Sequence, residues 1–187
     1  MKARFNMPLL RRKDKEYERA AQLLVDGEVS KAIDAFREIL SNTPNHVNAM
    51  VSLAVALLER QGAPSRSSDE TKEALELLRR AAEMSPDNPV PVFNLGVCQR
   101  RIGMLQDALA SFHRALEIEE RQPLALLHIA EINYQLGNLE TAIEYARKAL
   151  IRDPALEDAM DWVRDAVRQL KQNKEKGTRI DKKQDRD

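Results

Sequence analysis

His128 and Glu131 stand three residues apart, a spacing that on a helix places an imidazole and a carboxylate on one face, as two ligands of a metal site would be. A zinc site needs three or four ligands. The other histidines, His46 and His113, fall in different parts of the chain, and nothing nearby completes a set. Cys98 is the single cysteine, so the chain offers neither a disulfide framework nor a cysteine-based zinc cluster. It reads instead as a small buried residue of its helix, at home in a reducing compartment. The sequence holds no glycine-rich phosphate loop, no nucleophile motif and no paired carboxylates in an apolar setting. The expectation is a chain that is not an enzyme, with no catalytic residues, no cofactor and no metal.

The elements that would position these side chains repeat. Ala74, Ala108 and Ala142 lie 34 residues apart, as do Ala81, Ala115 and Ala149, and Leu75, Leu109 and Ile143. Gly103 and Gly137 keep the same interval. Upstream, Ala32, Ile33, Ile39 and Pro44 precede Ala74, Leu75, Ala81 and Pro86 by 42, one interval plus eight residues. Each unit reads as two amphipathic helices. In one of them Ala108, Leu109, Phe112, Ala115 and Leu116 form a single stripe, and Gly103 supplies a left-handed C-cap to the helix before it. The eight extra residues fall between Glu59 and Lys72, where Gly62-Ala63-Pro64-Ser65 breaks a helix and Ser67 with Glu70 suggests a capping box. This insertion reads as a surface loop, with a specificity loop at a groove edge as the alternative.

Asn94-Leu95-Gly96, Gly103, Ala108, Phe112 and Ala115, and again Ala130, Gly137, Ala142, Ala149 and Pro154, give a pattern that resembles the tetratricopeptide repeat family. Departures are Glu120 where proline is usual, Leu78 and Ala146 where an aromatic is common, and Arg19 at a usually apolar position. The resemblance covers roughly residues 13–156. It implies an all-α, right-handed superhelical solenoid of antiparallel helix pairs, about three repeats and a capping helix. The domain itself is placed at 13–171, with units at about 13–46, 47–88, 89–122 and 123–156 and the cap at 157–171. The first unit is atypical and reads as an end cap. Three pairs plus the cap make seven helices. Residues 1–12 are a basic and apolar segment, and 172–187 a disordered polar tail. Trp162 sits beside the capping stripe and reads as packing rather than recognition.

Composition agrees with a water-exposed helical protein. Of 187 residues 43% are apolar, 32% charged and 4% aromatic, with zero formal net charge. Residues 1–16 carry a net charge of +4 and residues 171–187 one of +3, so the body between is acidic, which argues against nucleic-acid binding through the folded part. No apolar run approaches the length needed to span a bilayer, and Phe5 to Leu10 is too short for a signal-peptide core. The expected location is cytoplasmic.

The family resemblance also implies that the first helix of each unit faces a ligand. Carried onto this chain, the partner-binding groove is Asn48, Val51, Ser52 and Val55, then Val90, Phe93, Asn94, Val97, Arg100 and Arg101, then Leu124, Leu127, His128 and Glu131. The clamp with which one subgroup grips the carboxylate tails of heat-shock chaperones is absent, since only Asn94 matches and His128 stands where an arginine belongs. The groove is apolar at its centre with a polar rim, which suits an amphipathic helix or an extended apolar peptide. Three readings follow: an interaction module for a partner protein, as scaffold, adaptor or assembly factor; a chaperone shielding a secretion or assembly client; and a regulatory fragment of a larger enzyme complex. An open apolar groove is costly, so a cover is expected, either Phe5, Met7, Pro8, Leu9 and Leu10 of the same chain or a homodimer.

Overall fold

Where Gly103 and Gly137 recur 34 residues apart, the computed structural model turns the chain. Gly103 and Gly137 have φ of 72° and 79°, left-handed backbone that a residue with a Cβ adopts only under strain. The structure describes residues 7–184, with side chains over 15–173. Nine α-helices and one short 3-10 segment make up the described residues: α1 Met7–Val25, α2 Val29–Asn42, α3 Val47–Gln61, α4 Asp69–Met84, α5 Pro89–Arg101, α6 Leu105–Ile118, α7 Pro123–Gln135, α8 Leu139–Arg152, the 3-10 turn Pro154–Met160, and α9 Trp162–Gln184. No strand is found among them. The fold is all-α, as expected. The count is nine rather than seven, because the atypical first unit builds a full helix pair of its own.

The residues group into two units that divide between Ala108 and Leu109. In the first, α1 pairs with α2 and α3 with α4, while α3 also touches α1 and α5. Phe36, Ile33, Met50, Leu53, Leu57 and Leu78 are fully buried side chains of its core. Ala32, Ala54, Ala74 and Ala81 are buried among them, where a larger side chain would hold the helix axes apart. Eight of the fifteen residues of α3 are buried, so its apolar character on nearly every side is met by helices packed around it.

In the second unit α7 pairs with α8, and α9 lies against α8. Leu126, Leu127, Ala130, Ala146, Ala149 and Met160 form one cluster, and Leu139, Ile143 and Ala166 another. Trp162 stacks on Tyr134 at a centroid distance of 4.8 Å, and the Tyr134 hydroxyl donates to Asp165 Oδ2 at 2.8 Å. Trp162 is therefore packing. Glu120, standing where proline is usual, does not shift the register: α6 ends at Ile118 and Pro123 opens α7.

Three expectations change. The Ser67–Glu70 capping box does not form: Ser68 is the N-cap of α4 without a side-chain bond, Ser67 Oγ pairs with Ser65 Oγ, and Glu70 pairs with Arg60. The cap expected at 157–171 begins as the 3-10 turn and becomes α9 only at Trp162. Beyond it, 172–184 continue α9 where a disordered tail is expected; the stretch is rich in Lys, with Gln and Arg, good helix formers, and follows an anchored turn that has already met the cost of nucleation. The segment 1–12 is a domain expectation that falls largely outside the described residues: Phe5 is not described, nor are the side chains of Met7 to Leu10, so the intramolecular cover lies outside the described structure.

Candidate peptide-binding faces

Each helix pair buries the stripe of its second helix and leaves part of its first helix accessible. In the first unit the accessible side is built from α3 and α5. Asn48 is exposed, Val55, Phe93 and Val97 are half-buried, and Val90, one residue into α5, is 48% exposed. The N-terminus of α5 is set by Asn88, whose Oδ1 accepts from the Val90 amide at 3.0 Å, with Pro89 at the first position. Asn94 Nδ2 donates to the Val90 carbonyl oxygen at 2.8 Å, four residues back, which holds the amide along the helix surface. In the second unit Leu124 is the counterpart of Val90 and equally exposed.

Not every expected groove residue reaches solvent. Val51 and Leu127 are 8% and 6% exposed and belong to the cores of their units. Ser52 meets the Tyr17 hydroxyl at 3.1 Å across α1 and α3. Tyr17 is itself stacked on His46, whose Nδ1 caps α3 by accepting from the Ala49 amide. Arg101 is engaged by the linker: its Nη2 donates to the Gly62 carbonyl oxygen at 2.9 Å. His128 and Glu131 do come together, with Nδ1 3.3 Å from Oε2, beside the Phe112 ring at 4.9 Å from the imidazole. Among the described residues no group of three or more His, Cys, Asp or Glu could hold a metal ion.

The insertion is a fixed part of the first unit. Two of its eight residues lengthen α3, which has 15 residues against 13 in α5 and α7. Two lengthen α4, with 16 against 14 in α6 and α8. The remaining four lengthen the linker, which is seven residues at 62–68 against three at 102–104 and 136–138. Arg66 reaches from it to the end of α5, donating from Nε to the Ile102 carbonyl oxygen at 2.9 Å and from Nη2 to that of Gly103 at 2.6 Å. Both carbonyls belong to the turn that follows α5, and the bonds fasten the linker to it. Thr71, fully buried, donates to Gln61 Oε1 at 3.0 Å beneath the loop.

Burial pushes the Cys98 thiol up to about 11, against the opposing pull of Arg101 and Arg79, which leaves it a protonated core residue. On the second unit the sequence reading missed a groove of about 510 Å3 between α6 and α8, lined by His113, Leu116, Leu126, Tyr145 and Ile151 among others. The signal was present in Ile151, an aliphatic side chain outside the buried stripe of α8.

A family model described as tetratricopeptide repeat matches residues 17–89, 67–123 and 99–157. The chain is 32% identical over 87 residues to the Protein CTR9 homolog of Arabidopsis thaliana, a match that covers 46% of this chain and 7% of that much longer protein. Among solved structures, TTC0263, a thermophilic TPR protein of Thermus thermophilus, superposes with a TM-score of 0.70 at 23% identity over 83% of this chain and 81% of that one. MamA 41-end from Desulfovibrio magneticus does so with a TM-score of 0.65 at 19% identity, over 78% and 77%. These likenesses carry the fold. No helix of the described residues is long and apolar enough to cross a membrane.

Proposed function

The chain belongs to the tetratricopeptide repeat family, and from that premise we propose that the accessible sides of α5 and α7 each bind an apolar stretch of a partner polypeptide. The family is generally a non-catalytic protein-interaction fold, so scaffolding is the coarse function. The finer reading rests on one observation: Val90 and Leu124, at corresponding places 34 residues apart, are both 48% exposed, while the alanines that repeat at the same interval, Ala74, Ala108 and Ala142 and Ala81, Ala115 and Ala149, are fully buried. Large aliphatic side chains left in water at repeated positions gain about 25 cal/mol per Å2 when a partner covers them. In the first unit Val55, Phe93 and Val97 extend the apolar centre, with Asn48, Asn94 and Arg100 around it. In the second unit His128 and Glu131 edge Leu124. Val51, Leu127, Ser52 and Arg101 are removed from the expected set because the fold already uses them.

An amphipathic helix or an extended apolar segment fits this chemistry: aliphatic contacts for affinity, amide and charged groups at the edge for register. Phe93→Asp combined with Val97→Asp is the test. Partners recovered with the wild-type chain and identified by mass spectrometry should be lost from the variant while its far-ultraviolet circular dichroism stays helical. Retention of those partners by a folded variant would refute the reading.

A further inference from the structure

A groove of about 430 Å3 runs between α8 and α9, next to the one beside α6, with Lys148 and Ile151 bordering both. Its floor is Ile143, Val167 and Leu170. Val167 is 45% exposed and Ile151, at the C-terminal end of α8, is 78% exposed. Two large aliphatic side chains of α8 and α9 thus stand in water beside the groove.

The charges on the same side of α8 are ordered. Glu140 and Glu144 lie toward its N-terminus, Arg147 and Lys148 toward its C-terminus, and together with Ile151 they recur at helical spacing along one face. Acid first and base last complements the helix dipole, which accounts for the charges but not for Ile151. Glu144 already pairs with Lys148 at 2.6 Å, whereas Arg147 has no partner among the described residues. A face that is acidic in one half and basic in the other is complementary to itself when turned end for end, which is the requirement of a two-fold contact.

We propose that this face binds a second copy of the chain, α8 antiparallel to α8. Ile151 of each copy enters the other's α8–α9 groove near Ile143 and Leu170, and Glu144 faces Arg147 of the partner subunit. The chain's own N-terminal segment is a poorer occupant: its apolar run is followed by Arg11, Arg12 and Lys13, which would oppose the basic half of the face. The contact is independent of the peptide-binding faces on α5 and α7.

Sedimentation equilibrium of the full chain across a wide concentration range tests it. The wild type should pass from monomer to dimer mass as concentration rises. Ile151→Asp should weaken association by at least about tenfold with helicity unchanged, as its exposure permits. Arg147→Glu should weaken it by a similar factor, and Glu144→Arg with Arg147→Glu should restore it to within about threefold of wild type. A wild-type chain that is monomeric throughout overturns the proposal. So does a dimer indifferent to Ile151→Asp, one that the charge exchange fails to rescue, or one lost only on deletion of residues 1–10.

Discussion

Arg66 and Ile102 are 36 residues apart in sequence and joined by a hydrogen bond of 2.9 Å, from the guanidinium Nε to the carbonyl oxygen at the C-terminal end of α5. Arg101 makes the return connection to Gly62. The two arginines tie the insertion to α5, the helix that carries Val90, Phe93 and Val97. Arg66→Ala should cost about 1 kcal/mol, a charged hydrogen bond reduced by its exposed setting. Limited proteolysis should then cut within 62–68 faster than in wild type. Unchanged cleavage would mean the bond does not hold the loop.

Gly137 has φ of 79° and no heavy atom within 4 Å of where a Cβ would stand. Gly137→Ala therefore meets no clash, and its effect is conformational alone. We expect a loss of about 1 kcal/mol in chemical denaturation.

Leu124 and Leu127 separate surface from core on one helix, at 48% and 6% exposed. Leu127→Ala should cost about 2–4 kcal/mol by leaving a cavity, and Leu124→Ala within about 0.5 kcal/mol. Partner affinity should show the reverse ranking among folded variants. Equal stability losses would contradict the assignment of the two sides of α7.

The bond from the Tyr134 hydroxyl holds the Asp165 carboxyl below its ordinary value, with Gln169 Nε2 a second donor at 2.6 Å. Because the folded-state value is depressed, the stabilisation is present above the ordinary carboxylate value, about 4, and is lost as pH falls through the lower folded value. Asp165→Asn should flatten that acid limb in thermal melts taken across the range, with the attachment of α9 to α7 and α8 as the part affected.

The 34-residue recurrence of small residues made the helix pairs legible in sequence, since Ala74, Ala108 and Ala142 are where close helix packing requires them. Solvent exposure within a helix was less legible. α3 is apolar on most sides, so periodicity could not say that Val51 faces the core while Val55 is half exposed. Arg101 reads as a rim charge until the linker of another helix pair is seen to supply carbonyls for it. The continuation of α9 past Leu170 left no apolar stripe to read, because it follows from propensity and an anchored first turn.

Methyl-resolved NMR of the chain, with and without a recovered partner segment, bears most directly on the central claim. The account predicts shift changes at the methyls of Val55, Val90, Val97 and Leu124, with those of Leu78, Ile143 and Ile151 unmoved. Changes confined to the second helices of the pairs, with Val90 and Leu124 unaffected, would contradict it.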